Sequence, residues 1–299
     1  MEAKVQRRVQ RYGWDLAAAD YEPLWRSQLA FAQARLLACA SLAPGERVLD
    51  VACGTGLVSF AAAQAVEPGG AVVGIDLSGQ MIAAARLRRE EREVSNINFA
   101  RMDAEKLELP DASFDVALCA FGLMYMPHPE QALREMRRVL RPGGRVVLAV
   151  WGERQRCGWS PLFQIVDAEV VTEVCPLFFR LGHEGALSRM CIEAGFEHVE
   201  PHRIAGTLDY ANDDEVCRAA FVGGPIALAW SRFDDEAQVR VRKRYIDALA
   251  AWRTEQGYQV PGEFVIVSAA TAIGPDRSRE PHELPWPCAD SPVAEPQCS

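Results

Sequence analysis

Between residues 47 and 150, short apolar runs alternate with helix-like segments, and this alternation constrains the fold more than any other feature. The runs predict strands at 47–52, 71–76, 97–102, 114–119 and 145–150. Each is short, nearly all apolar and bounded by turn residues, as is typical of strands covered on both faces. Because strand–helix–strand units return to one sheet as parallel crossovers, the pattern predicts a parallel sheet with helices on both faces.

Outside this region the pattern changes, but it still supplies strands. Segments 196–210 and 263–268 predict two more strands, the second of which can join the sheet in antiparallel orientation. A helix is predicted from about Asp234 to Gly257, with Val241 and Tyr245 on its apolar face. The predicted fold is therefore α/β, with a doubly wound, mostly parallel, seven-stranded sheet.

The same pattern divides the chain into four parts. Residues 1–45 are helical and rich in aromatic side chains, which predicts an N-terminal helical cap, and 46–152 form the core. Residues 153–273 supply a C-terminal helical lid insertion and the last two strands. Residues 274–299 are rich in Pro, Ser, Glu and Asp, which predicts a disordered tail.

Charge and cysteine usage exclude several classes of partner. The net charge of −9 and the pI near 5.2 oppose binding to a phosphate backbone, so no nucleic-acid partner is expected. No apolar run reaches the roughly 18 residues of a membrane-spanning helix. Nine cysteines without a CxxC pair favour free thiols in a reducing, cytoplasmic setting and give no metal site. We expect a monomer or homodimer that acts on a small molecule.

Three carboxylates follow three successive predicted strands. Asp50 opens a glycine turn that ends at Gly56, Asp76 follows 26 positions after Asp50, and Asp103 follows 27 positions after Asp76. Ligands of doubly wound sheets bind beyond the carboxyl ends of the strands, where glycines let them lie against the backbone. A carboxylate at the second strand end can hold ribose hydroxyls. The spacing therefore predicts a nucleoside lying across the sheet.

The turn is not built for a pyrophosphate. A dinucleotide fingerprint requires a third glycine where Ser59 stands, and no P-loop lysine is present.

Five segments together resemble the successive motifs of class I S-adenosylmethionine-dependent methyltransferases: Asp50–Gly56, Gly74–Ser78, Met102–Ala104, Phe114–Val116 and Val139–Gly144. The resemblance covers roughly residues 45–152 and is nearest to the ubiquinone and menaquinone biosynthesis methyltransferases. It implies that S-adenosylmethionine is the cofactor.

The resemblance also implies roles for individual residues. The first turn would hold the methionine end, Asp76 the ribose, Asp103 the adenine edge and Phe121 the sulfonium region. The cofactor-binding residues so implied are Asp50, Ala52, Cys53, Gly54, Gly56, Asp76, Leu77, Met81, Asp103, Ala104, Ala120 and Phe121.

The chain departs from the resembling enzymes at two places. Ala52 stands where many members have the first glycine. After Gly122 the quinone enzymes share an Arg-Asn pair, whereas this chain has Leu123–Met126. Methylation of a quinone ring carbon is therefore the alternative, rather than the main, interpretation.

The sequence leaves the acceptor chemistry open. An activated methyl group needs mainly alignment and exclusion of water, and a base only if the acceptor must lose a proton. Candidate bases are Tyr125, His128 and His183, each of which has an ordinary structural explanation as well. The lid aromatics favour an apolar or aromatic acceptor of O-, C- or N-methylation: Trp14, Tyr21, Trp25, Trp159, Phe163, Phe178, Phe179 and Trp230.

Two further alternatives belong to other functional classes of protein. An NAD(P)-dependent oxidoreductase would use the same type of sheet. A catalytically inactive protein that retains the S-adenosylmethionine site would explain why no base stands out.

Overall fold

A computed structural model of the chain describes residues 2–170 and 178–274. The predicted tail, 274–299, lies outside the described residues except for Gly274. The helices are α1 (Ala3–Ala40), α2 (Leu57–Ala65), α3 (Gly79–Glu91), α4 (Pro129–Val139), α5 (Pro161–Asp167), α6 (Ala186–Glu193), α7 (Asp213–Phe221), α8 (Ala227–Trp230) and α9 (Asp235–Ala248). The strands are β1 (Arg47–Val51), β2 (Ala71–Asp76), β3 (Ile97–Arg101), β4 (Phe114–Ala120), β5 (Leu140–Trp151), β6 (Glu197–Tyr210), β7 (Arg253–Thr254) and β8 (Gly257–Ala270).

The strands form one sheet in the order β3-β2-β1-β4-β5-β8-β6. Strands β1 to β5 pair in parallel, and β8 runs antiparallel to both β5 and β6. The order reverses at β1, which has β2 on one side and β4 on the other, so this is the switch point where ligands bind. The predicted α/β fold and its antiparallel last strand are confirmed, with the two-residue β7 as an eighth strand beside β8.

The central strands are buried because helices cover both faces of the sheet. Val48, Leu49 and Val51 of β1 are fully buried, as are Val116, Ala117 and Leu118 of β4. Edge strand β6 instead alternates exposed with partly buried side chains over most of its length. Parallel central strands are covered on both faces, so their burial is continuous. Edge strands expose one face to solvent, so their burial alternates.

The predicted end of the last helix is wrong. Helix α9 ends at Ala248, a single 3₁₀ turn covers Ala250–Trp252, and β8 begins at Gly257 rather than near Glu263. Pro261 and Gly262 disguise the first half of this strand in the sequence. At Pro261 the strand pairs with β6 alone, since β5 reaches only as far as Phe264, so the missing N–H leaves no gap in the pairing.

The predicted N-terminal cap is a single helix of 38 residues, α1. It packs against α3, α8 and β5, so it crosses the sheet from the β2 side to the β5 side. Gln28 of α1 binds the backbone of Asp209 in β6 through both amide atoms, with the Asp209 N–H donating to Oε1 at 2.9 Å. Despite the length of α1, none of the helices in the described part of the chain combines the length and apolarity needed to cross a bilayer.

Candidate functional site

A deep pocket opens at the edge of the sheet where β1 to β5 end. Strand β6 ends at the same edge, because it and β5 both run antiparallel to β8. Residues at or just after six strand ends line the pocket: Gly54, Asp76, Asp103, Phe121, Trp151 and Tyr210. One face of α1 closes it from above, through Arg7, Gln10, Trp14, Tyr21, Trp25 and Leu29. The pocket therefore runs from the β3 end to the β6 end under a single helix.

Most of the residues predicted to bind the cofactor meet in this pocket. Nine of them line it: Ala52, Gly54, Asp76, Leu77, Met81, Asp103, Ala104, Ala120 and Phe121. The other three, Asp50, Cys53 and Gly56, belong to the same segment but do not line the pocket. The predicted lid aromatics Trp14, Tyr21, Trp25, Trp159 and Phe178 also line it, whereas Phe163, Phe179 and Trp230 do not.

The turn after β1 is held by the Asp76 carboxylate. The Gly54 N–H donates to Asp76 Oδ2 at 2.9 Å, and the Ser78 N–H donates to Asp76 Oδ1 at 2.8 Å. Burial raises the pKa of the Asp76 carboxyl to about 6, although these two hydrogen bonds favour the ionised form. A carboxylate has about four lone-pair sites, so one remains that can face the pocket beside the backbone N–H groups of Gly54, Leu77 and Ser78.

Asp50 supports the same turn from below. Its side chain is 1% exposed and accepts a hydrogen bond from the Ser59 hydroxyl, at the position where a dinucleotide site would have glycine. Burial raises the pKa of the Asp50 carboxyl to about 7, opposed by the Ser59 hydrogen bond. The structure thus puts Asp50 behind the ligand-facing surface of the turn.

Ala52, which stands where many of the resembling enzymes have glycine, lies against Gly122. Its φ of 56° lies in the left-handed region, which favours glycine. A side chain at Gly122 would overlap the Ala52 methyl group. The methyl group at position 52 and the glycine at position 122 are therefore complementary.

The β3 end of the pocket carries an ion pair that the sequence did not predict. Arg7 of α1 lies with its Nε 3.2 Å from Asp103 Oδ2, and its Nη2 donates to Glu105. The Glu105 N–H in turn donates to Asp103 Oδ1 at 2.9 Å. No sequence signal marks Arg7, which is one of several basic residues on an amphipathic helix.

The opposite end of the pocket is aromatic. Trp151 stands at the end of β5, with its ring 5.6 Å from Phe121 and 4.8 Å from Trp159. Tyr210 from β6 and Tyr245 from α9 complete this end and were not among the predicted site residues. Of the described side chains that line the pocket, only Arg7, Asp76, Asp103 and Glu105 carry a formal charge, and all four lie at the β2–β3 end.

The three candidate bases occupy different surroundings. Tyr125 lines the pocket, with its ring 5.2 Å from Trp14 and 5.3 Å from Phe178. His128 is exposed, precedes α4 and has Nδ1 3.5 Å from Glu130. His183 is also exposed, and α6 begins at Ala186 with Gly185 as its cap. Tyr125 is thus the only one of the three that faces the pocket.

Comparison with known proteins identifies the family. A family model described as a methyltransferase domain matches residues 48–144. The ubiquinone/menaquinone biosynthesis C-methyltransferase UbiE of Burkholderia mallei (strain SAVP1) is 33% identical over 214 residues, which cover 72% of this chain and 83% of that protein. The chain belongs to the class I S-adenosylmethionine-dependent methyltransferases.

Solved structures of this methyltransferase family share the fold. A Bacillus halodurans C-125 protein named as a methyltransferase superimposes with a TM-score of 0.59 at 22% identity, over 80% of this chain and 98% of that chain. Phosphoethanolamine N-methyltransferase 2 of Haemonchus contortus, solved with S-adenosyl-L-methionine, gives 0.56 at 19% identity, over 86% and 57%.

The residues of the pocket fit the methyltransferase cofactor. Gly54 has no side chain, so a ligand can lie directly against the backbone at this wall. Its φ of +55° favours glycine, and a Cβ added there would lie 3.7 Å from Tyr21. The lone pairs of Asp76 suit ribose hydroxyls, and the rings of Trp14 and Tyr21, 5.8 Å apart, suit a sulfonium cation. When bound, this cofactor supplies a methyl group that is already activated for transfer.

Proposed function

We propose that the pocket holds the adenosine of S-adenosylmethionine across the ends of β1 to β3 and receives an uncharged, aromatic or apolar small molecule beyond Phe121. The observation that carries the proposal is the separation of charge along one continuous pocket. Among the described residues, the charged lining side chains all lie at the β2–β3 end, and apart from Gln10 of α1 the rest of the wall is aromatic or aliphatic. A charged acceptor would lose its hydration there without gaining a partner, which is costly.

Within this proposal each group of residues has a part. Asp76 holds the ribose, Asp103 and Ala104 bind the adenine edge, and Leu77 and Met81 pack against the ring. Asp50 acts indirectly by fixing the turn through Ser59. Phe121 and Trp151 exclude water and orient the acceptor toward the methyl group.

The proposed pocket offers little for strong base catalysis. Burial, with the charges of Asp76 and Asp50 nearby, raises the pKa of the Tyr21 hydroxyl above its usual range, so this group stays protonated. Tyr125 remains the candidate base that faces the pocket. The wall therefore favours an acceptor that ionises readily by itself, such as a phenol or enol, or one that needs no deprotonation.

Two buried donors support an acceptor that carries oxygen. The indole nitrogens of Trp25 and Trp159 have no hydrogen-bond partner among the described residues. Both side chains belong to the pocket wall and are at least nine-tenths buried. Since an unpaired buried N–H costs about 1–3 kcal/mol, an acceptor oxygen within reach would be stabilised by either donor.

Ring methylation of a quinol is the second candidate function. It is supported by the 33% identity to UbiE and by the aromatic wall. It is opposed by Leu123–Met126, which replaces the Arg-Asn pair of the resembling quinone enzymes. Incubation with a demethylated quinol and S-adenosylmethionine tests it, and the absence of a methylated product would remove this candidate.

The cofactor part of the proposal is tested with Asp76→Asn. Removing one carboxylate oxygen that accepts from ribose should weaken binding of S-adenosylhomocysteine at least about tenfold, because a hydrogen bond to a charged group contributes roughly 1.5–3 kcal/mol. Isothermal titration calorimetry measures this directly. The control is Asp111→Asn, whose side chain is 75% exposed and lies outside the pocket. Equal affinities for Asp76→Asn and the wild type would refute the ribose role.

The acidic net charge of −9 further supports a small-molecule acceptor over a nucleic acid. The monomeric or dimeric state and the cytoplasmic location stay predictions, and light scattering of the purified protein tests the first.

A further inference from the structure

The far end of the pocket, opposite the adenosine end, carries two tyrosines that the proposed methyl transfer does not use. Tyr210 is the last residue of β6 and Tyr245 lies in α9, and both line the pocket while being 4% and 2% exposed. Their neighbours in the wall are Ala220, Gly224 and Pro225, none of which offers a polar side chain. Two hydroxyl groups thus stand at the end of an otherwise apolar chamber.

Both hydroxyls are hydrogen-bond donors at neutral pH. Burial, followed by the nearby Glu215, raises the pKa of Tyr210 above its usual range. Burial, followed by Tyr210 and Cys217, does the same for Tyr245. Neither phenol can therefore serve as a base. Both residues line the pocket wall, so a ligand there can contact their side chains.

The contacts of helix α1 give the distance between this end of the pocket and the turn after β1. Tyr21 is next to Gly54, and Gln28 is bonded to Asp209, the residue before Tyr210. A helix rises about 1.5 Å per residue, so these two points are roughly 10 Å apart along its axis. The methyl-transfer region near Phe121 follows β4, and three strand spacings of about 4.8 Å separate β4 from β6, or roughly 14 Å.

From these observations we propose that Tyr210 and Tyr245 form a distal subsite, which donates hydrogen bonds to an oxygen at the far end of an elongated, uncharged acceptor. The acceptor then spans roughly the length of two linked aromatic rings, with the methylated atom near Phe121 and a second oxygen at the tyrosine pair. This inference rests on the proposed function, since the near end of the acceptor is defined by the cofactor position.

The test uses two flat probes that differ by one distal hydroxyl. These are para-hydroxybiphenyl and para,para′-dihydroxybiphenyl, titrated into the full chain saturated with S-adenosylhomocysteine. Quenching of tryptophan fluorescence reports binding, because Trp25, Trp151 and Trp159 line the pocket. The wild type should bind the dihydroxy probe roughly fivefold to tenfold more tightly, as one neutral hydrogen bond predicts.

The double variant Tyr210→Phe/Tyr245→Phe should bind both probes with equal affinity while its affinity for S-adenosylhomocysteine stays that of the wild type. The matched control is Tyr258→Phe, whose hydroxyl donates to Asp213 at 2.7 Å and does not line the pocket, so the preference should persist there. The distal subsite would be overturned if the wild type bound neither probe or showed no preference for the dihydroxy probe. It would also be overturned if the double variant kept that preference. Failure of the wild type to bind S-adenosylhomocysteine would overturn both the subsite and the proposed function.

Discussion

At the scale of single residues, two carboxyls that hold the turn after β1 have raised pKa values: Asp50, which is buried beneath the turn, and Asp76, which lines the pocket. Burial raises the pKa of Asp50 to about 7 and that of Asp76 to about 6. A carboxyl whose pKa is higher in the folded than in the unfolded chain stabilises the fold fully only below its unfolded value. Its contribution is lost as pH rises through the folded value. Both residues therefore make the ligand-free protein less stable as pH rises toward neutrality.

The variant Asp50→Asn isolates one of these carboxyls. It keeps an acceptor for the Ser59 hydroxyl but cannot ionise, so between about pH 4 and pH 7, the unfolded and folded pKa values of Asp50, it should lose less stability than the wild type. Urea denaturation at several pH values measures the free energy of unfolding, and Asp111→Asn serves as the exposed control. Parallel pH profiles for Asp50→Asn and the wild type would contradict the raised pKa.

The contact between Ala52 and Gly122 predicts a rescue. Gly122→Ala should lower stability by about 1–3 kcal/mol, because its new methyl group overlaps that of Ala52. Adding Ala52→Gly removes the opposing methyl group and the left-handed alanine at once, so the double variant should regain most of the loss. Thermal denaturation of the four proteins in this cycle measures the coupling. Additive effects would show that the two positions are independent.

At the scale of elements, α1 is fastened to the cofactor turn by a buried carboxylate. Glu22 is 5% exposed, accepts from the Thr55 hydroxyl at 3.2 Å and lies 2.6 Å from Arg88 Nε in α3. Thr55 directly follows Gly54. The helix that roofs the pocket and the turn that forms its floor are therefore held together by one side chain.

Replacing this side chain should loosen both elements. Glu22→Gln removes the carboxylate that pairs with Arg88, and because the Arg88 side chain is 22% exposed the loss should stay below the about 3–5 kcal/mol of a fully buried pair. We expect a lower melting temperature and weaker binding of S-adenosylhomocysteine. Arg26→Met is the control, because Arg26 contacts the same carboxylate but is 56% exposed, and exposed pairs contribute about 0–1 kcal/mol. Similar losses in the two variants would show that Glu22 does not fasten α1.

The elements differ in how well the sequence predicts them. Strands β1 to β4 begin and end within one or two residues of the predicted bounds, because buried parallel strands are continuous apolar runs between turn residues. The end of α9 and the first half of β8 are hidden, since Pro261 and Gly262 resemble a loop and become strand only through pairing with β6.

The residues of the site also divide into those that the sequence predicts and those that it hides. Asp76 and Asp103 could be predicted because each lies at or just after the end of its strand, and Phe121 through the resemblance to the methyltransferases. Arg7, Tyr210 and Tyr245 could not, because only tertiary packing brings the N-terminal helix, the end of β6 and α9 to one pocket.

At the scale of the whole molecule, the pocket walls come from α1, the sheet and the lid helices together, so a bound ligand stabilises all three. S-adenosylhomocysteine at about 100 times its dissociation constant should stabilise the fold by about 2.7 kcal/mol. For a chain of 299 residues, that corresponds to a rise in melting temperature of roughly 4 °C. Differential scanning fluorimetry measures it, and an equal rise for Asp76→Asn at the same ligand concentration would argue against this site.

Along α1, Arg7 faces Asp103, Tyr21 faces Gly54 and Trp25 lies against Trp151, so donor and acceptor share one wall. Acceptor preference and cofactor affinity consequently cannot diverge independently during evolution. A substitution on this helix that admits a new acceptor also shifts the helix over the nucleoside, and compensating changes should collect at the contacts of α1 with the turn after β1.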